Sequence, residues 1–163
     1  MLSKIIPPVG GDTLFANTQK AYEDLDDEMK LKIENLKVVH SAKLPYADDG
    51  FYATETEKRS MNIITSKEAK KEQIHSLVKV HPETQKKGLF INPVYTSHIQ
   101  GFNEEESFLL LSKLYEHMTQ EKYIYRHKWK ENMLLMWDNR TVMHMAEGGY
   151  DGYDRLLLSL IHI

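Results

Sequence analysis

Leu134-Leu135-Met136-Trp137-Asp138-Asn139-Arg140-Thr141-Val142-Met143-His144 decides the reading of this chain. Four apolar residues predict a strand, Asp138-Asn139-Arg140 predicts a polar turn, and Thr141-Val142-Met143 predicts a second short strand that delivers His144. Eleven residues later Arg155 opens another apolar run, Leu156-Leu157-Leu158. A histidine on a rigid strand suits iron, zinc or copper. An arginine on a neighbouring strand can clamp a carboxylate, because its planar fork matches two oxygens. By themselves the two residues read first as a strand histidine bonded into a barrel wall and a surface arginine.

Outward from this stretch the composition sets bounds. A length of 163 residues fits one domain with a real core. Charged residues make up 28% and the net charge is −3, so nothing points to nucleic acid or an anionic membrane. The absence of cysteine excludes disulfides, thiolate metal sites and cysteine nucleophiles, and is consistent with a cytoplasmic protein. No apolar run approaches the ~18 residues of a membrane span, and the N-terminus lacks a signal-peptide pattern.

In chain order, Pro7-Pro8-Val9-Gly10-Gly11 is a turn-rich entry to a strand over Asp12 to Ala16, in which Thr13 reads first as an ordinary strand threonine. Asn17 or Thr18 can cap a short helix through Leu25, and Asp26 caps the next, with Met29, Ile33 and Leu36 as its apolar stripe. Lys43 to Arg59 reads as a polar loop, continued by charged residues from Ser66 to Gln73, and a loop of this length is a candidate lid. His75 to His81 alternates as a strand, His81-Pro82-Glu83-Thr84 turns, and Leu89-Phe90-Ile91 returns, which predicts a hairpin. Asn103 with Glu106 forms a capping box for a helix presenting Phe108, Leu111, Leu114, Tyr115 and Met118. Tyr123 to Trp129 alternates as a further strand. The predicted class is mainly β with flanking helices, a jelly-roll barrel decorated by helices.

Gly10-Gly11-Asp12-Thr13-Leu14-Phe15, His81-Pro82-Glu83-Thr84 with Leu89-Phe90-Ile91-Asn92-Pro93, and Trp137 to His144 with Arg155 stand in one order along nearly the whole chain. Together they resemble the taurine dioxygenase (TauD/TfdA) family of Fe(II)- and 2-oxoglutarate-dependent oxygenases. The resemblance implies a double-stranded β-helix core, cupin-like and here incomplete, whose mouth holds a metal and a small acid. It implies His144 as an iron ligand, and Thr13 and Arg155 as the residues holding the far carboxylate of 2-oxoglutarate. Fe(II) is the implied cofactor, and dioxygen and a small organic substrate (a sulfonate, sulfate ester, aryloxy acid or similar) are the implied partners. A homo-oligomer stays open.

The chain departs from the family pattern at two places. The family's first two ligands form a His-x-Asp or His-x-Glu motif upstream of the threonine strand, whereas 12 residues precede Thr13 here and none is histidine. The two missing ligands are therefore expected to lie before Met1, and the chain alone is expected to be an inactive portion of a dioxygenase domain. His81 is followed two residues later by Glu83, but the resemblance places that turn away from the iron. Taurine-using members carry another arginine four residues after the one matched by Arg155, where this chain has Ser159. The last six residues, 158–163, translate CTGTCTCTTATACACATC, the end of a transposon-based sequencing adapter. They are expected to be foreign, which leaves residues 1–157 as the dioxygenase portion and makes Ser159 and His162 silent on function. The competing reading is a non-catalytic jelly-roll binding module that has lost its iron site. A cupin with three histidine ligands lacks the clustered histidines it needs.

Overall fold

The computed structural model describes residues 1–54 and 63–160. Among them are five α-helices and ten strands, and the strands form four small antiparallel sheets. In chain order the elements are β1 (Leu2–Ile5), β2 (Thr13–Asn17), α1 (Thr18–Glu23), α2 (Asp27–Ile33), β3 (Lys37–Ser41), α3 (Lys43–Tyr46) and α4 (Phe51–Thr54). Then come β4 (Glu72–Ser76), β5 (Val78–Val80), β6 (Lys87–Leu89), β7 (Thr96–Ile99), α5 (Glu104–Met118), β8 (Ile124–His127), β9 (Val142–Ala146) and β10 (Leu156–Leu158). The sheets are β1-β10, β8-β2-β9, β4-β3-β7 and the hairpin β5-β6. The expected class of strands with flanking helices holds, and no closed barrel forms among the described residues.

The helices start where the caps predict. Asn17 accepts from the Lys20 backbone N–H at 2.9 Å and Asp26 from that of Met29 at 2.7 Å. Asn103 and Glu106 bond each other's backbone as a reciprocal capping box. The apolar faces of α1, α2 and α5 close over β3 and the β5-β6 hairpin. Ala21, Ile33, Val38, Leu77, Ile99, Leu114 and Met118 are fully buried there.

Four local expectations differ from the structure. Leu134 to Trp137 is not a strand: it runs alongside the N-terminus through a single bridge, Leu2 to Leu134, and Leu134 and Met136 are exposed. The Met1 ammonium donates to the Leu135 carbonyl at 2.6 Å and the Leu135 N–H donates to the Met1 carbonyl at 2.9 Å, so this segment is held by the chain's first residues. The predicted strand from His75 to His81 breaks at Leu77, whose side chain turns into the core between β4 and β5. On α5 Phe108 is exposed at 68%, and its neighbour Ser107 is buried, its hydroxyl oxygen accepting from the Ile99 N–H at 2.7 Å. The polar loop after Lys43 instead winds into α3 and α4. Its continuation at residues 55–62, which includes Glu55, Thr56, Glu57 and Arg59 of the candidate lid, lies outside the described residues, as do residues 161–163 with His162.

Candidate functional site

β2 is the middle strand of the sheet that matters, and its register puts the candidate residues side by side. Thr13 lies opposite His127 of β8 and Ala146 of β9, and Phe15 lies opposite Tyr125 and His144. Cross-strand partners share a face, and so do residues two apart on one strand. Thr13, Phe15, His127 and His144 therefore stand on one side of the sheet.

His144 keeps much of its surface open, but its ring lies nearly parallel to Phe15 at 6.0 Å and edge-on to Trp137 at 5.0 Å. Burial on that side lowers its pKa from the usual histidine value. A ring kept neutral retains a nitrogen lone pair, the form in which imidazole binds a metal. Trp137 is in turn pinned by its indole N–H, which donates to Asn139 Oδ1 at 2.7 Å.

Thr13 is buried, and its Oγ1 accepts from the Trp129 indole N–H at 3.0 Å. That bond fixes the hydroxyl and leaves its own proton to donate. Beside it, His127 Nε2 is buried with no hydrogen-bond partner, and the ring meets Trp129 edge-on at 4.5 Å. A buried polar atom left unmatched is costly unless something polar meets it.

Arg155 reaches the same end of β2. Its Nε and Nη2 donate to the Gly11 carbonyl at 3.2 and 2.9 Å, two residues before Thr13. The pair Gly10-Gly11 makes this approach feasible. A Cβ on Gly11 would lie 3.0 Å from Arg155 Nε, and one on Gly10 would lie 2.5 Å from the Gly149 carbonyl oxygen. Both glycines also have positive φ, which L side chains resist.

Next to His144 opens a cleft of about 610 Å³ between β9, the 138–140 turn and the β3-β4 edge. His40, His75, Phe90, Tyr95 and Arg140 line it, whereas Thr13 and Arg155 do not. His40 is stacked on Phe90 at 5.5 Å and meets Thr96 Oγ1 at 3.0 Å through Nε2. Burial, reinforced by His75 and Lys79, pulls its pKa down to about 4. Trp129, His127, Phe15 and Trp137 are the parts of this region that the sequence did not single out as functional. The alternation from Tyr123 to Trp129 is the local signal for His127 and Trp129, whereas Phe15 and Trp137 stand inside the stretches that carry the family resemblance.

The residues divide in their fit to the implied groups. A threonine hydroxyl, a guanidinium and an unmatched imidazole nitrogen gathered near one strand end suit a carboxylate. For iron the fit is incomplete: among the described residues no three His, Asp or Glu side chains come together as a metal site. His144 is a single candidate ligand. His81 bonds Asp138 Oδ2 at 3.0 Å.

The helix-flanked antiparallel sheets, with a histidine, a threonine and an arginine at one strand's flank, define a fold of the jelly-roll class. The chain belongs to the taurine catabolism dioxygenase TauD, TfdA family, whose profile matches residues 1–161. It is 38% identical over 148 residues to an alpha-ketoglutarate-dependent 2,4-dichlorophenoxyacetate dioxygenase of Burkholderia sp. (strain RASC), a match covering 88% of this chain and 46% of that protein. It is 36% identical over 154 residues to an alkylsulfatase of Acinetobacter baylyi, covering 94% of this chain and 48% of that one. The solved structure of AAD-2 in complex with Mn(II) and N-oxalylglycine superposes with a TM-score of 0.77 at 35% identity, covering 94% of this chain and 57% of that chain. A taurine dioxygenase from Burkholderia xenovorans superposes with a TM-score of 0.73 at 31% identity, covering 94% of this chain and 48% of that one. The chain spans about half the length of the curated relatives it matches.

Proposed function

We propose that this chain carries the cosubstrate-binding residues and one metal ligand of an Fe(II)- and 2-oxoglutarate-dependent dioxygenase acting on a small organic acid. Sulfonates, sulfate esters and aryloxy acids are the substrate classes, in keeping with the names of the relatives. Thr13 and Arg155 hold the far carboxylate of 2-oxoglutarate, and His144 is the ligand to iron. Iron, 2-oxoglutarate and dioxygen supply the oxidising chemistry when bound. The chain's own part is to orient an acid and keep an imidazole neutral. The cytoplasm is the compartment we assign, since there is no cysteine and no described helix is long and apolar enough to cross a membrane.

The observation that carries this reading is the register of β2. It sets Thr13 and His144 on one face, while Arg155 folds back onto Gly11 at the same strand's entrance. Binding of 2-oxoglutarate tests it, read by equilibrium dialysis with N-oxalylglycine as competitor. Arg155→Lys replaces a fork by a point charge, and a lost charge-assisted bond is worth roughly 1.5–3 kcal/mol. Affinity should fall about tenfold to a hundredfold or more. Equal binding by the variant ends the cosubstrate assignment. The 163-residue chain by itself should release no succinate with oxygen uptake, because among its described residues no three His, Asp or Glu side chains come together to hold iron. Iron-dependent turnover by this chain alone would place its metal ligands elsewhere.

A further inference from the structure

The His81-Pro82-Glu83-Thr84 turn does not line the cleft described above, though Glu83 pairs with Arg140 at 3.5 Å, and His81 is among the few buried polar residues of those described. Its imidazole is committed at both nitrogens. Nδ1 accepts from the backbone N–H groups of Glu83 at 3.3 Å and Thr84 at 3.1 Å. With Nδ1 an acceptor, the ring proton of the neutral form sits on Nε2, which meets Asp138 Oδ2 at 3.0 Å. The contact joins residues 57 positions apart.

Asp138 passes this anchorage on to the turn that precedes His144. Its carboxylate accepts from the Arg140 backbone N–H at 2.8 Å, and from Arg140 Nε and Nη2 at 2.9 and 2.6 Å. Its carbonyl accepts from the Thr141 N–H at 3.0 Å and hydroxyl at 3.1 Å. The Thr141 carbonyl in turn accepts from Thr18 at the start of α1, through N–H at 3.1 Å and Oγ1 at 3.0 Å. Trp137 and Asn139 flank Asp138, and the Trp137 ring lies edge-on to His144.

We propose that His81 is a positioning residue: by clamping Asp138 it fixes the 138–140 turn, and thereby the Trp137 ring against which the His144 imidazole is set. The functional meaning rests on His144 being the metal ligand, but the clamp itself does not. A plain loop anchor would need only the two Nδ1 bonds within residues 81–84. The Nε2 bond to Asp138 carries order from the hairpin to the turn, beside the exposed ion pair of Glu83 with Arg140 at 3.5 Å.

Two substitutions separate these roles. His81→Gln keeps an amide N–H near the position of Nε2 and loses the Nδ1 acceptor. His81→Asn keeps an acceptor near Nδ1 and cannot reach Asp138. Asp138→Asn removes the carboxylate from the other side. In the isotope-labelled 163-residue chain, NMR cross-peaks between the Trp137 indole and His144 imidazole protons report the contact. They need neither metal nor cosubstrate. The wild type and His81→Gln should show these cross-peaks. His81→Asn and Asp138→Asn should lose them, with the His144 ring shifts moving toward free-histidine values, while the β2-β9 cross-strand amide cross-peaks persist. Retention of the Trp137–His144 cross-peaks in His81→Asn or Asp138→Asn overturns the proposal. So does their loss in His81→Gln, which assigns the effect to the loop bonds. Loss of the β2-β9 cross-peaks in either disrupted variant also overturns it, since the pair would then be a general fold contact. A negative result here leaves 2-oxoglutarate binding at Thr13 and Arg155 untouched, and a failed binding test leaves the clamp standing.

Discussion

Replacing Trp129 by Phe tests how firmly Thr13 is held. The indole N–H donates to Thr13 Oγ1 at 3.0 Å, with Trp129 7% and Thr13 3% exposed, so water cannot readily take either partner's place. A typical hydrogen bond is worth about 0.5–1.5 kcal/mol net, and a buried group left without its partner costs about 1–3 kcal/mol. Thr13→Val leaves the indole N–H buried and unmatched, so it should cost about 1–3 kcal/mol. Trp129→Phe removes the donor and also some apolar volume, so roughly 1–3 kcal/mol is expected there too. The double variant removes both polar partners and should be more stable than the sum of the single effects by about 1–2 kcal/mol. Urea unfolding followed by far-ultraviolet circular dichroism measures all four proteins, with unchanged slopes certifying comparable unfolding. Single effects that add to within ~0.5 kcal/mol would refute the bond as a coupled, buried interaction.

Three further outcomes are expected. His40, pulled down to about 4 chiefly by burial, takes its proton less readily folded than unfolded. It therefore contributes no penalty above the unfolded value of about 6.5, and stability should fall progressively between about pH 6.5 and 4 and then level. Urea midpoints across that range, with an NMR titration of His40, check this. Asn103→Ala removes one half of the α5 capping box and should cost about 0.5–2 kcal/mol, seen as a lower urea midpoint at constant slope. Leu114→Ala empties a fully buried position at the centre of the helical core and should cost about 2–5 kcal/mol, with exposed Leu109→Ala as the near-neutral comparison in the same melts.

What was legible in the sequence follows from how local each signal is. Caps at Asn17, Asp26 and Asn103 act within one turn, so the spacing alone predicts them. The Asp138-Asn139-Arg140 turn and the strand bearing His144 were legible for the same reason. The family resemblance supplied Thr13 and Arg155, and the structure supplies the physical reason for Gly10-Gly11, which is the close passage of Gly149 and Arg155. Leu134 to Trp137 misled because an apolar run predicts burial, and nothing local says that it will meet the N-terminus by a single bridge. Phe108 misled because helical spacing alone does not identify which face meets β7. There the Ser107 hydroxyl, taking the Ile99 N–H, decides the orientation. The bonds from Trp129 to Thr13 and from His81 to Asp138 cross 116 and 57 positions, and no periodicity can announce a pair that chain folding alone creates.

The central place of β2 has a consequence for how the molecule is made. Both of its neighbours, β8 and β9, are encoded downstream of α5, so β2 leaves the ribosome with neither edge satisfied. Just over a hundred residues separate its last position, Asn17, from the first of β8, Ile124. At a synthesis rate of about 5–20 residues per second, the strand waits for roughly 5–20 s before a partner exists. Through that interval Leu14, Phe15 and Ala16 are an unpaired apolar edge of the kind that aggregates or recruits holding chaperones. The strand that organises the candidate site is thus made well before the two strands that complete it.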